Sequence, residues 1–450
     1  MSYPEAIRQL SALAPELHTQ PGQARRKFSL SQIGLLLAAL GDPHRRFPSV
    51  LIAGTNGKGS TAATLASILA ASGLRTGLYT SPHLVRPNER IRINGIEISD
   101  DAFAHAWSRV YNAGQQLVRD RQLEQLPSFF ETLTAMAFLH FGDQAIDFAV
   151  LEVGMGGRLD ATNIVAPALS VITDISLDHT EWLGSTIAAI AREKAGILRP
   201  GGTLVTLPQH PEASQVLGEV AAELNVHAVS AVPYMPPATT VPAEPYTVEI
   251  LGQPVEIASP LTGAHQHRNI ALALAAAAEL ATAHAVPITP ASIAAGVRAT
   301  QWPARLERVR TGSTQWILDV AHNPAGAWAL RAGLRSLLPL DDPAAPRPTL
   351  IFSCLRDKPL TEMAQILFPL FGEILFAPIH SPRATSIDDL LAAARATGAA
   401  ARATASVAEA IALAQQSGTR HIVISGSVYL VGEARAFLVA PTPQPAGASA

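Results

Sequence analysis

Residues 54–61 read Gly54-Thr55-Asn56-Gly57-Lys58-Gly59-Ser60-Thr61. Such a run can cradle phosphate. Glycines let the backbone turn tightly and aim its N–H groups inward, and a following helix adds partial positive charge at its start. Lys58 can reach terminal phosphates, and Ser60 or Thr61 can offer a hydroxyl to phosphate or Mg²⁺. The strict pattern G-x-x-x-x-G-K-[ST] fails twice: Ile52 holds the first glycine position, and Gly59 follows the lysine. The order apolar run, glycines, lysine, hydroxyls, helix-forming run still predicts a phosphate loop.

Other reactive side chains stand near the ends of apolar runs. Glu152 closes DFAVLE. A carboxylate at the carboxyl end of a buried strand is costly unless paired or bound to a cation, and ligands bind along that edge of open α/β sheets. Its position therefore favours a metal ligand. Taken alone, Ser81 in TSPHL reads as a turn serine, His179 in LDHT as a structural histidine, and Lys194 in REKAGI as an exposed helix lysine. Gly154, Gly156, Gly157 and Arg158 make a donor-rich turn that suits a plain loop or a ligand site equally. Asn269 reads as a cap or first-turn residue of a long helix.

These residues need a scaffold. SVLIAG (49–54), LRTGLYT (74–80), DFAVLEV (147–153) and ALSVITDI (168–175) are continuous apolar runs, as in strands buried on both faces of a parallel sheet. Helical patterns at 128–141 and 186–198 lie between them. The alternation predicts an α/β fold with a mostly parallel, doubly wound sheet. Residues 231–260 predict a peripheral β excursion, and 267–285 a long helix. ATQWPAR (299–305) interrupts the pattern. Beyond it, WILDV (316–320), TLIFS (349–353), EILFA (373–377) and HIVIS (421–425) alternate with helical segments at 325–337, 386–397 and 406–416. This predicts a smaller, Rossmann-like α/β domain. The expected division is 1–298, 299–440 and a disordered tail at 441–450.

The chain has 450 residues, 48% hydrophobic and 15% charged, which excludes a largely disordered protein. Lys+Arg 33 against Asp+Glu 36 argues against general nucleic-acid binding. The single cysteine, Cys354, excludes an internal disulfide and a multi-cysteine metal cluster. No secretory signal opens the chain, and the most apolar stretch, 269–286, is interrupted by Glu279 and His284. A cytoplasmic enzyme without nucleic-acid or membrane partners is expected.

GTNGKGST resembles the phosphate loop of the Mur ligase superfamily, and within it that of the folylpolyglutamate synthase/dihydrofolate synthase family. Further resemblance lies in YTSPHLVRPNERIRING (79–95), LEVGMGGRLDATN (151–163), SLDHTEWLG (176–184), REKAGI (192–197), HQHRN (265–269), DVAHNP (319–324) and SGSVYLVGEAR (425–435). The matching runs follow the family's order along nearly the whole chain. The resemblance implies a Mur-ligase-like ATPase domain followed by the smaller domain. It implies ATP at Thr55, Asn56, Gly57, Lys58, Gly59, Ser60 and Thr61, with Asn269, Arg305 and Asp319. It implies Mg²⁺ at Ser81, Glu152 and His179, and a second Mg²⁺ on Lys194 carbamylated by CO₂. A pteroate or folate pocket is implied at Phe28, Ser29, Leu30, Ser128, Phe129, Phe130, Glu131, Leu159, Asp160 and Ala161, with Ser427 from the second domain. Ala304 stands where the family has glycine before the arginine, Ser29 where it commonly has glycine, and Pro87 where it often has phenylalanine.

The implied activity is ATP-dependent addition of L-glutamate to dihydropteroate and to folates through an acyl phosphate, with Lys58, Lys194 and Arg305 in catalytic roles and a monomer as the expected state. Two other ligase readings stand beside it: folylpolyglutamate synthesis alone, or another Mur-type amide ligation. A non-catalytic ATP-binding module is the alternative of a different class. Lys58, Glu152, His179 and Lys194 together speak against that module.

Overall fold

The computed structural model describes residues 1–13, 29–237, 240–241, 244–342 and 344–439. The expected tail at 441–450 and Phe28 lie outside them. The chain forms two compact units. The first takes Met1–Pro82, Pro87–Pro260 and His265–Trp302; the second takes His83–Arg86, Leu261–Ala264 and the chain from Pro303 onward.

In the first unit, eight strands make one sheet: β1 (Ser49–Ala53), β2 (Thr76–Tyr79), β3 (Ile91–Ile93), β4 (Ile96–Glu97), β5 (Phe148–Glu152), β6 (Leu169–Ile172), β7 (Thr203–Thr206) and β8 (His227–Ser230). Their order is β4-β3-β2-β5-β1-β6-β7-β8. Strands β2, β5, β1, β6, β7 and β8 pair in parallel, and β3 and β4 add antiparallel pairs at one edge. The two-residue period of a strand explains the continuous apolar runs. Val50 and Ile52 enter one core with Leu78, Val150 and Val171. Leu51 and Ala53 enter the other with Leu151 and Ile172. Helices Lys58–Ala71 and Ala264–Ala283 cover the first face; Asp100–Arg119 and Phe129–Asp143 cover the second. Each fully buried Leu, Ile, Val or Phe side chain contributes about 1.5–3 kcal/mol relative to exposure.

The connections explain where a ligand fits. From β1 the chain passes to β2 on one side, and from β6 to β7 on the other. Winding therefore reverses between β1 and β6, which opens a crevice at their carboxyl ends.

The β excursion is a separate antiparallel hairpin, β9 (Tyr246–Ile250) with β10 (Gln253–Ile257). The long helix starts at Ala264, so Asn269 lies in its second turn and not at its cap. His265 and Gln266 hid that start, because the apolar run begins only at Ile270. No helix among the described residues is long and apolar enough to cross a membrane.

The second unit holds β11 (Glu307–Thr311), β12 (Thr314–Leu318), β13 (Thr349–Phe352), β14 (Glu373–Phe376), β15 (Ala401–Ala403) and β16 (His421–Ser425), in the order β11-β12-β16-β13-β14-β15. Only β11 is antiparallel to its neighbour. Ile317, Leu350 and Val423 face one core, and Trp316, Leu318 and Ile424 the other.

Before this sheet, Ala304 and Leu306 have φ of 59° and 49°. A left-handed backbone costs a non-glycine residue about 1–2 kcal/mol. Ala304 is also fully buried, and its methyl contributes about 0.8 kcal/mol. The two effects nearly cancel once the chain entropy of glycine is added. Ala304→Gly is therefore expected to melt within about 0.5 kcal/mol of the natural chain, whereas Ala304→Val, overpacked and β-branched, loses about 2–3 kcal/mol. Denaturant unfolding checks both; equal losses would contradict the backbone assignment.

Candidate active site

The loop after β1 sits in the crevice between β1 and β6. Thr55 and Asn56 N–H groups donate to the Asp174 carbonyl at 2.8 and 3.2 Å. The Thr55 hydroxyl donates to the Ser176 carbonyl (3.0 Å) and accepts from the Ser176 N–H (3.1 Å), while Asn56 Nδ2 donates to Ser176 Oγ (3.1 Å). These bonds fasten the loop to the segment after β6. Gly57 has φ +89°, and a Cβ there would lie 2.1 Å from Asn269 Oδ1, so only glycine fits.

Gly59 explains the departure from the strict phosphate-loop pattern. A Cβ at Gly59 would lie 2.6 Å from the Trp302 indole. The hydroxyl is carried one residue on by Ser60, which is buried and whose Oγ has no hydrogen-bond partner. The Thr61 hydroxyl donates to the Asn269 carbonyl at 3.3 Å.

Two ammonium groups meet on one carbonyl. Lys58 Nζ donates to Gly54 O at 3.2 Å and to Thr55 O at 3.3 Å; Lys194 Nζ donates to the same Gly54 O at 2.7 Å. Lys194 lies in the last turn of the helix Ile187–Ala195 and is 4% exposed. Burial, and next the charge of Lys58, push its pKa down to about 7 against the pull of Asp178 and Asp160. Lys194 is thus not the exposed helix lysine that its segment suggests.

Ser81 and Glu152 are also brought together. The Ser81 N–H donates to Glu152 Oε2 at 3.2 Å, from the end of β2 to the end of β5, and Glu152 is 5% exposed. His179 has a left-handed backbone (φ 50°) after β6, its Nε2 4.0 Å from Asp178 Oδ1. Among the described residues, no three His, Cys, Asp or Glu side chains gather as a metal-ion site. Magnesium does not need such a group. It takes a few protein oxygens and completes its octahedron with water and phosphate. A buried strand-end carboxylate, the Ser81 hydroxyl and the unpartnered Ser60 hydroxyl suit that chemistry.

The residues implied as a pteroate pocket divide into structural and accessible groups. Ser128 and Glu131 form a capping box on the helix Phe129–Asp143: Ser128 N–H and Oγ donate to Glu131 Oε2 at 2.8 and 2.7 Å, and Glu131 N–H donates back to Ser128 Oγ at 3.3 Å. Phe130 is in the core, 6.1 Å from the Tyr79 ring. Phe129 is half-buried, with the Arg90 guanidinium 5.3 Å from its ring centre. Asp160 is buried and caps the short turn Ala161–Ile164, accepting from Thr162 N–H (3.0 Å), Thr162 Oγ1 (2.6 Å) and Met155 N–H (3.0 Å). Burial raises its pKa, against those hydrogen bonds. Leu159 is half-buried and Ala161 buried. Ser29 is exposed and caps the helix Leu30–Ala39, whose first residue, Leu30, is half-buried.

In the second unit, Arg305 lies between the two left-handed residues, its Nη1 donating to the Ala304 carbonyl at 3.0 Å. The Asp319 carboxylate accepts from Leu306 N–H and Ala321 N–H, both at 2.9 Å, which ties the start of the unit to the end of β12. Ser427 caps the helix Val428–Leu438, accepting from Tyr429 N–H at 3.2 Å.

Several positioning residues escaped the sequence reading. Asp174 and Ser176 hold the loop, and Arg268 grips Asp174. The rule that singled out Glu152, a carboxylate closing an apolar run, applies equally to Asp174 at the end of VITD. Nothing in the run HQHRN marks Arg268 or, near the linker, Trp302 as neighbours of the loop.

Comparison with known proteins adds independent findings. Residues 52–277 match the Mur ligase middle domain, and residues 304–428 the Mur ligase glutamate ligase domain. The dihydrofolate synthase/folylpolyglutamate synthase of Bacillus subtilis is 34% identical over 419 residues, covering 91% of this chain and 94% of that protein. The protein of the same name from Mycobacterium tuberculosis is 36% identical over 412 residues, covering 87% and 82%. Among solved structures, Mycobacterium tuberculosis folylpolyglutamate synthase complexed with ADP and AMPPCP superposes with a TM-score of 0.84 at 35% identity, covering 93% of this chain and 96% of that one. Escherichia coli FolC in complex with DHPP and ADP gives 0.80 at 29% identity, covering 96% of each chain.

Proposed function

The chain belongs to the folylpolyglutamate synthase family of Mur ligases and is a carbon–nitrogen ligase, and on that footing we propose that it uses ATP to join L-glutamate to dihydropteroate and to folates. It works as a monomer in the cytoplasm. The observation that carries the proposal is the pair Lys58 and Lys194 on the Gly54 carbonyl. The Lys58 ammonium at the mouth of a phosphate loop, beside the buried unpartnered Ser60 hydroxyl, is a receptor for a polyanion, and Lys194, buried beside it with its pKa lowered to about 7, is an amine able to take up CO₂.

A carboxylate and an amine do not condense directly, because oxide is a poor leaving group. Transfer of the terminal phosphoryl group of ATP to the folate carboxylate gives an acyl phosphate. The glutamate amine then attacks the acyl carbon; a C–N bond forms, the C–O bond breaks, the nitrogen loses a proton and phosphate departs. Lys58 exchanges its loop carbonyls for the terminal phosphates, and the first N–H groups of the helix Lys58–Ala71 receive the phosphate oxygens. Mg²⁺, when bound, would supply positive charge against the transferring group. Ser81, Glu152 and His179 would hold one ion, and carbamylated Lys194 a second. Asn269 contacts the nucleotide with the loop residues Thr55, Asn56, Gly57, Gly59 and Thr61. The pterin ring lies on Phe129, near Leu30, Leu159 and Ala161. The structures of relatives with ADP, AMPPCP and DHPP support both ligands.

Purified protein given dihydropteroate, ATP, Mg²⁺ and L-glutamate is expected to yield dihydrofolate and ADP. Tetrahydrofolate under the same conditions is expected to gain glutamate. Product from tetrahydrofolate alone would leave folylpolyglutamate synthesis and remove the dihydropteroate half.

A further inference from the structure

We infer that Arg268 is a positioning residue for the phosphate loop and acts on it through Asp174; this rests on the proposed binding of ATP at that loop. Asp174 performs two tasks. Its carbonyl accepts the N–H groups of Thr55 and Asn56, pinning the first half of the loop. Its carboxylate is held by the Arg268 fork, with Nε 2.8 Å from Oδ2 and Nη2 2.6 Å from Oδ1. Nη2 also donates to the Pro208 carbonyl at 2.9 Å.

The next residue of the same helix, Asn269, puts its Oδ1 2.1 Å from where a Cβ on Gly57 would lie, so it packs directly against that glycine. One helical turn therefore governs both halves of the loop: Arg268 sets Thr55 and Asn56 through Asp174, and Asn269 sets Gly57. A bidentate guanidinium–carboxylate pair fixes orientation as well as distance, which a lysine point charge does not. The two side chains are 31% and 41% exposed, so the pair adds little to fold stability. Its effect lies in where it holds the Asp174 carbonyl.

The test compares the natural chain with Arg268→Ala, Arg268→Lys, Asp174→Ala and the double alanine variant. It measures affinity for ATP and for adenosine, KM and kcat, and melting temperature. Arg268→Ala and Asp174→Ala are each expected to weaken ATP binding by about 10–100-fold with adenosine affinity within about twofold. KM for ATP rises more than kcat falls. Arg268→Lys restores part of the loss, and the double variant is no worse than the weaker single one, because both break one unit. Undiminished ATP affinity in Asp174→Ala would mean that Arg268 touches phosphate directly, and would overturn the inference. Equal loss for ATP and adenosine, or a lowered melting temperature that accounts for the loss, would reduce the pair to a structural tie and also overturn it. Failure of the natural chain to bind ATP would instead defeat the proposed function, which separates the two failures.

Discussion

Lys58→Ala is expected to lower turnover by about 10²–10³-fold while the protein still unfolds in one cooperative step near the natural melting temperature. The contrast follows from what the Lys58 ammonium does in each state. Without nucleotide it makes hydrogen bonds to two loop carbonyls at 3.2 and 3.3 Å. Even charge-assisted bonds of this kind are worth only about 1.5–3 kcal/mol, and water replaces much of that at a half-exposed site. Lys58 opens its helix, whose core contacts come from Ala62, Leu65, Ile68 and Leu69, so the fold does not depend on it. In the transition state the same ammonium faces a phosphoryl group losing its bond to ADP. Rate measurements at saturating ATP, paired with thermal unfolding, check the split. Natural rates in the variant would refute the phosphate-loop assignment.

Lys194→Ala is expected to cost about 10²-fold or more in kcat, since the proposed carbamate on this lysine would be an oxygen donor for a metal. Carbamate formation requires the neutral amine. An ordinary lysine, at 10.5, supplies almost none near neutrality; Lys194, brought down to about 7, supplies a large share. Burial is the main cause and the neighbouring Lys58 charge the second. The neutral share grows as pH rises, so carbon-13 NMR of protein equilibrated with labelled bicarbonate should show occupancy increasing from about pH 6 to about pH 8. The linkage has the same sign. The unfolded chain keeps this proton up to about 10.5 and the folded chain only below about 7, so this group's contribution to stability rises with pH across that window. Lys58→Ala removes the charge that depresses it, so it also raises the Lys194 pKa and would reduce carbamate at neutral pH. The two variants should therefore combine non-additively. An active natural enzyme with no label at Lys194 would contradict the carbamate.

The phosphate loop was legible because its chemistry is local. Strand, glycines, lysine and helix follow one another within a few residues, and Glu152 stood out because a buried run ends in a charge. The parallel strands β1, β2, β5, β6, β12, β13, β14 and β16 were legible for a related reason: burial on both faces leaves no polar alternation. Lys194 was not legible. Its burial comes from the turn at Gly157, which lies against the last turn of its helix so closely that a Cβ there would sit 2.7 Å from the Glu193 carbonyl. Spacing along the chain does not encode such an approach. Strands β3, β4, β7, β8, β11 and β15 were hidden: β4, β8, β11 and β15 are the edge strands of their sheets, where charged or polar residues interrupt the apolar run, and β3 and β7 are short segments beside such edges. Ser128 and Glu131 carried the S-x-x-E spacing of a capping box, and the structure uses them in that way. Arg268 and Trp302 become neighbours of the loop only through the fold.

The most direct test follows oxygen. A folate or dihydropteroate substrate labelled with oxygen-18 in its carboxylate is incubated with the enzyme, ATP, Mg²⁺ and L-glutamate, and the released phosphate is examined by mass spectrometry. Ligation through an acyl phosphate transfers one labelled oxygen to each phosphate as the amide forms. Amide product accompanied by unlabelled phosphate, or ADP released without amide, would contradict it.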